Sequence, residues 1–329
     1  MADGSVPRGR VPWNNLHRSC CAFPRAVRRR RTRHDRVVTG PPYVPVDGRP
    51  WHLSMGLHRL DPDRWLEVDG QRESDLRRKA RLLDEAHDTV VATLPGSERA
   101  SAELLRLVVG YLSTHHAALL GGDWQGPGPV GTVIDATAGH AVVTASLLVQ
   151  EDLCVLEHDD GTWRLTAACV CFPSRWSLTE KLGQSLDGIH GPVPGFNAAL
   201  LGPATTFFDR LTVDRPVWRA NWTLLETDEL HLPTASGRLA GWSEGDLGSS
   251  LWFRVERQTL RRLPLSGAVV FTIRTYVRPL RDVADTSPGF ALALRDTMRT
   301  VTPDVAAYKG WVGLLEPLDR WLATWSHDD

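Results

Sequence analysis

The chain has 329 residues, 42 % of them hydrophobic and 23 % charged, and a formal net charge of −1. That length supports a sizeable buried core, and no apolar run reaches the roughly 20 residues that span a bilayer, so the body reads as soluble and globular and no membrane partner is expected. The near-zero charge conceals an uneven distribution, because ten arginines stand in the first 36 residues against only Asp3 and Asp35, leaving about −9 on the remainder.

The arginine-rich stretch "RAVRRRRTRHDR" has the charge of a nucleic-acid-binding arm or a presequence. No aromatic residues interleave its arginines as an RNA-stacking surface requires, and no secretory apolar segment follows it. It reads instead as a solvated extension, or as upstream sequence from a misplaced start, and no nucleic-acid partner is expected. The five cysteines, Cys20, Cys21, Cys154, Cys169 and Cys171, contain no CxxC pair. Local spacing therefore builds neither a zinc ribbon nor an iron–sulfur cluster, and a reduced, cytoplasmic protein is the expectation.

In chain order, "GPPYVPVDGRP" at 40–50 separates the extension from the body. "ESDLRRKARLLDEAHDTVVATL" and "SERASAELLRLVVGYLSTHHAALL" carry apolar residues at helical spacing and predict an antiparallel helix pair. "DLCVLEH" and "TWRLTAACVCF" flank Asp159, Asp160 and Gly161 and predict a β-hairpin. Ser177 and Glu180 have the spacing of a capping box, predicting a helix from Ser177 to about Gly188. "FNAALLGPATTFFDRL" predicts a helical stretch broken at Gly202–Pro203, and residues 216–227 a strand. "LWFRVERQTLRR" and "GAVVFTIRTYV" predict a long hairpin across "LPLS". Ser287–Pro288 then opens a helical C-terminal stretch with breaks near Pro303 and Pro317. Strands in the centre with helices before and after give an α+β class, without the strand–helix alternation of a dinucleotide-binding fold.

"GPGPVG" at 126–131 matches G-x-G-x-x-G, but no strand precedes it and two prolines remove backbone donors, so it reads as a turn. His115 and His116, adjacent on a helix, point about 100° apart and cannot share a metal. Strand alternation puts Arg254, Glu256 and Gln258 on one face and Val255, Arg257 and Thr259 on the other, with Arg274 and Tyr276 sharing a face of the partner strand. These charges suit either a solvated, ion-paired face or the wall of a polar pocket. His190, in "SLDGIHGPVPGFN", is framed by two glycines and two prolines. It is either a structural histidine at a helix end or a ligand with one nitrogen held by a carbonyl and the other free. A lone protein ligand suffices on iron when a porphyrin supplies the other four, so the second reading implies haem.

The blocks "RPWHLSMGLHRLDPDRWLEVD", "CFPSRWSLTEKLG", "IHGPVPGFN", "RPVWRANWTL", "ELHLP", "FRVERQTLRRLP" and "VVFTIRTYV" resemble the haem-subunit family of haem-dependent oxidative N-demethylase, over about residues 43–310 and in the family's order. The resemblance implies a PAS-like antiparallel sheet with short helices forming a pocket for haem b, and hence an Arg-rich extension at 1–42 followed by one haem-binding domain at 43–329. It implies oxidation of a small secondary amine, dimethylamine, by O₂, with electrons passed from NADPH through partner subunits carrying FMN and a 2Fe–2S cluster. A non-catalytic haem-PAS gas or redox sensor is the alternative. Carried onto this chain, His190 is the expected axial iron ligand, with His231 in "ELHLP" its rival. Arg219, Arg274 and Trp222 are expected to hold the cofactor, and Glu256, Arg257 and Tyr276 to serve substrate and oxygen.

Overall fold

A computed structural model describes residues 43–120, 140–234, 239 and 241–327. The arginine-rich extension and the "GPGPVG" turn lie outside the described residues. Seven strands, β1 (His58–Arg59), β2 (Val91–Thr93), β3 (Asp152–Asp159), β4 (Thr162–Cys169), β5 (Val217–Leu225), β6 (Trp252–Arg262) and β7 (Val269–Pro279), form one antiparallel sheet. Their order is β1-β5-β6-β7-β3-β4-β2. Both edges are short, of two and three residues, which limits the unpaired backbone a neighbouring chain could pair with. The β3–β4 hairpin turns through Asp160 (φ 46°) and Gly161 (φ 74°), the left-handed pair of a two-residue turn matched to strand twist. The class is α+β, as the residue pattern predicts.

Register divides the side chains of this sheet between two faces. Directly paired residues share a face, so Arg219↔Gln258, Asn221↔Glu256, Glu256↔Thr275 and Leu260↔Phe271 place those residues together. Over the apolar end of this first face lie three short helices, α5 (Leu186–His190), α6 (Phe196–Ala199) and α7 (Leu201–Arg210), where Leu186 and Phe208 pack with Leu156, Leu260 and Val269. Trp222↔Val255, Val255↔Tyr276 and Arg257↔Arg274 belong to the second face. One end of that face is covered by α1 (Arg72–Glu85), α2 (His87–Val90), α3 (Glu98–His115) and α4 (Ala141–Ser146). The other end is covered by α8 (Leu247–Ser250), α9 (Leu280–Thr286), α10 (Phe290–Met298), α11 (Pro303–Lys309) and α12 (Leu315–Ala323). Leu104, Leu105, Val108, Val109 and Leu112 bury one side of α3 against Leu153, Val155 and Ala167 of the sheet. Each such side chain contributes about 1.5–3 kcal/mol relative to exposure.

Four local expectations are corrected by tertiary contacts. Residues 177–184 form turns, not the capped helix expected from Ser177 to Gly188, and helix begins only at Leu186. Ser177 Oγ bonds the hydroxyl of Thr179 (2.8 Å), while Gly183 N–H donates to Leu165 O (2.8 Å) and Leu165 N–H to Gln184 O (3.1 Å). Those bonds to β4, with Gly183 at φ +74°, hold the segment as an extension of the sheet edge. The break in the 196–210 stretch falls at Leu200, ahead of Gly202–Pro203, because Pro203 sits in the first turn of α7 where no N–H partner is needed. Pro317 likewise lies in the first turn of α12 and does not interrupt it. Ser287–Pro288 does not open α10, which starts at Phe290 after Gly289 at φ +74°. The helix pair expected before the hairpin is α1 and α3, with the short α2 and the edge strand β2 between them.

Candidate haem and amine site

His190 is the last residue of α5, and Val193 N–H donates to its carbonyl (2.8 Å) as Gly195, at φ +76°, turns the chain into α6. Its Nδ1–H donates to Leu186 O (2.9 Å), one helical turn back. Its ring lies on Phe196 with centroids 4.0 Å apart and planes 9° from parallel. The ring is therefore fixed in position and tautomer, and Nε2 keeps its lone pair. Burial pushes the imidazole below its ordinary pKa, opposed by the Leu186 carbonyl and reinforced by Arg219 and Lys181. A neutral imidazole with one anchored nitrogen is what ligation requires. His231 is held similarly, its Nδ1–H donating to Cys171 O at 2.8 Å.

Facing the same side of the sheet as His190 are Arg219 and Glu256. Arg219 has its Nε buried without a partner, and burial lowers its pKa against the attraction of Glu256. Glu256, 9 % exposed, is met by Arg254 Nε (3.4 Å) and Gln258 Nε2 (3.1 Å). Arg254 in turn donates to Leu230 O (3.1 Å) and Phe172 O (2.6 Å), which fixes it as a structural counter-charge. Around the apolar end of this face, Trp176, Leu182, Ile189, Phe207, Val217 and Phe271 are only half-buried although they border a packed cluster. An incompletely covered apolar wall beside an anchored imidazole and a half-buried guanidinium with an unpartnered Nε fits a flat, apolar, anionic group. Among the described residues no three His, Cys, Asp or Glu side chains gather to hold a metal by themselves.

The other expected site residues are on the second face. Arg257 donates to Trp65 O (3.0 Å) and to Arg64 O, and its Nε lies 3.4 Å from Glu67. Arg274 is paired with Asp69 (2.7 Å) and Asp75 (3.3 Å), and its guanidinium lies 4.6 Å from the Tyr276 ring. Tyr276 donates to Glu67 (2.5 Å), as does Tyr43, and burial raises the pKa of Tyr276 well above the ordinary phenol range. Trp222 stacks on Trp311 (5.8 Å) and meets Trp51 edge-on (5.5 Å). The structure thus brings His190, Arg219 and Glu256 together, and separates Trp222, Arg257, Arg274 and Tyr276 from them by the thickness of the sheet. Alternation alone assigns Glu256 and Arg257 to opposite sides. Which side a bound group could use depends on the layers that cover each.

Sequence reasoning missed Lys309, whose charge feels the attraction of Glu256 and the repulsion of Arg219. A signal was present, since it is one of only three lysines, with Lys79 and Lys181, in an arginine-rich chain. Two surface hollows lie elsewhere. One of about 520 Å³ is bounded by His58, Arg59, Asp214 and Arg215, and one of about 190 Å³ by Trp163, Ser185, Asp187 and Thr205. Neither holds any of the convergent groups described above.

Residues 56–318 match the family model of the haem-dependent oxidative N-demethylase, alpha subunit-like proteins. The chain belongs to this family. The match takes in the whole sheet and His190, Arg219, Glu256 and Lys309, and begins well beyond the arginine-rich extension. Its name supports haem as the cofactor, an oxidative demethylase as the activity, and an alpha subunit's place in an enzyme of several chains. For a haem-dependent N-demethylase family member, no helix among the described residues is long and apolar enough to cross a membrane.

Proposed function

We propose that this chain binds one haem b on the first face of the sheet, where His190 Nε2 would hold the iron, and acts as the haem-bearing subunit in oxidative N-demethylation of a small secondary amine such as dimethylamine. The observation that carries the reading is the double anchoring of His190, by the Leu186 carbonyl and the Phe196 ring, on the same face as the half-buried Arg219, whose buried Nε lacks a partner. The five central strands, numbered among themselves in chain order, run 2-1-5-4-3 across the sheet, with α5–α7 between the second and third. That order supports the PAS-like reading.

When bound, haem would supply the redox-active iron needed to use O₂, with electrons from NADPH arriving through FMN and 2Fe–2S partner subunits. The residues of this chain do the rest. Phe196 and Leu186 O hold the imidazole of His190 so that ligation costs little side-chain entropy. Glu256 is the one carboxylate of the group and would bind a secondary ammonium by a charge-assisted hydrogen bond, then hold the proton released from it. Arg254 and Gln258 keep that carboxylate oriented. Arg219 supplies positive charge beside the iron ligand. Arg257, Arg274 and Tyr276 act structurally, by fastening residues 64–75 to the back of the sheet.

The test is the absorption spectrum of the chain reconstituted with haem b, with His190→Ala and His231→Ala alongside. The expected result is a Soret band in the wild type and in His231→Ala, and its loss or collapse to weakly bound haem in His190→Ala. Dimethylamine should then perturb the wild-type band and leave that of Glu256→Gln unchanged. Equal spectra from the wild type and His190→Ala would remove the ligand assignment. Reversible CO and O₂ binding with no response to amines would favour a haem sensor.

A further inference from the structure

Lys309 ends α11, and Gly310, at φ +74°, turns the chain so that Trp311 Nε1 donates to Leu224 O (3.3 Å) on β5. The lysine ammonium lies within 6.0 Å of the Trp51 ring and 5.9 Å of the Tyr308 and Trp311 rings. There it is coupled to Glu256 of β6 and to Arg219 of β5, both on the first face. Glu256 already has a counter-charge in Arg254 at 3.4 Å. Among the described residues Arg219 and Lys309 have no hydrogen-bonded or ion-paired carboxylate. Two partly desolvated cations therefore share the attraction of one carboxylate that Arg254 and Gln258 already bond, on a face whose other end carries half-buried apolar side chains. Haem b has the same asymmetry, an apolar macrocycle with two carboxylates on one edge.

We propose that Lys309 is a haem-propionate-binding residue acting with Arg219, so that α11 closes the carboxylate edge of the cofactor site. The inference rests on the haem reading above and extends it to a residue and a helix that the sequence blocks do not single out. Burial, with Arg219 adding to it and Glu256 opposing, pushes the ammonium down to about 8. An arriving propionate would relieve that penalty by favouring the charged form. Tyr308, which also senses Glu256, and the rings of Trp51 and Trp311 lie about the lysine among the described residues, and none of them supplies a second carboxylate.

The experiment compares haem b with haem b dimethyl ester, which has the same macrocycle and no carboxylate charge. Full-length wild type, Lys309→Met and Lys309→Arg are loaded with each. The rate of haem transfer to excess apomyoglobin is followed in the Soret region. Losing one charge-assisted contact should speed loss of haem b from Lys309→Met by at least about tenfold, with Lys309→Arg restored towards the wild-type rate. The three proteins should release the dimethyl ester alike. Faster loss of both haems from Lys309→Met would show a packing role and overturn the proposal. So would unchanged haem loss accompanied by altered amine titration, which would make Lys309 a partner of Glu256. Failure of the wild type to bind either haem would overturn the underlying haem reading, an outcome separate from the other two.

Discussion

His190 and His231 show why one side chain is proposed as the iron ligand ahead of its rival. Both hold Nδ1–H on a backbone carbonyl, so tautomer does not distinguish them. His190 adds a face-to-face ring contact and a neighbouring unpaired guanidinium on the half-covered face of the sheet. Lys309 gives a prediction that needs no cofactor. Its folded-state pKa of about 8 lies below the ordinary 10.5, so between those values the unfolded chain binds the extra proton and stability rises with pH. The stability of the haem-free wild type, measured by urea unfolding relative to Lys309→Met, should therefore increase from pH 8 to 10.5. A flat difference would mean that the ammonium is not desolvated.

At the level of elements, the β6–β7 pair carries opposite duties on its two faces. Glu256 and Thr275 look towards α5–α7, whereas Arg257 and Arg274 are directly paired on the reverse and bind the 64–75 segment. Arg274→Ala leaves Asp75 buried without its counter-charge, and the expected cost is about 3–5 kcal/mol by chemical denaturation. The lower end applies, because Asp69 is partly exposed and can be solvated. If Arg274 is structural, haem uptake by the folded fraction should not change. A selective loss of haem at wild-type stability would return Arg274 to the site. Gly183, at φ +74°, ends the turn that precedes α5, and a methyl group added there would meet Leu94 Cδ1 at an ordinary 3.8 Å. The space is therefore open and only the left-handed backbone resists substitution. Gly183→Ala should cost about 1 kcal/mol through that backbone strain, and loosen haem if α5 depends on the turn for its placement.

Across the whole molecule, one sheet is sandwiched between an incomplete layer on the first face and a full helical layer on the second. Where α1, α4 and β3 meet, burial is carried furthest: Lys79 donates to Ser146 Oγ (3.1 Å), and Asp152 accepts from Cys171 N–H (2.9 Å) and Phe172 N–H (2.8 Å). Glu151 beside them is fully buried, accepts Glu67 N–H with Oε1 (2.8 Å), and leaves Oε2 unpartnered. Burial raises its pKa despite the attraction of Arg274. The folded state thus prefers the protonated acid, and the penalty for ionising it is absent below the ordinary value of 4.5 and grows as pH rises above it. Glu151→Gln should match the wild type in unfolding free energy below pH 4.5 and exceed it at neutral pH. A variant less stable at neutral pH would show that the carboxylate charge is needed against Arg274.

Much of this protein was legible before its tertiary structure. Alternation in "FRVERQTLRR" already sorted Glu256 from Arg257, turn residues marked both hairpins, and the glycine–proline frame singled out His190, because these signals are local and fixed by backbone stereochemistry. The short α5, the turns at 177–184 and the roles of Pro203 and Pro317 were not, since sheet hydrogen bonds and position within a first turn override local preference. Sequence could name seven candidate site residues but not divide them, because which face of a strand is covered depends on segments far away in the chain. Residues 64–75 claim Arg257, Arg274 and Tyr276 from one side, while the first face keeps His190, Arg219 and Glu256 beside an unfilled apolar wall. Lys309 comes under the influence of Glu256 and Arg219 through a turn whose Trp311 is bonded to Leu224 O of β5. The sequence by itself determined the class, the five long strands and the chemistry available, and the tertiary structure added the two short edge strands and decided which groups can meet at one site, because only packing sets what remains uncovered.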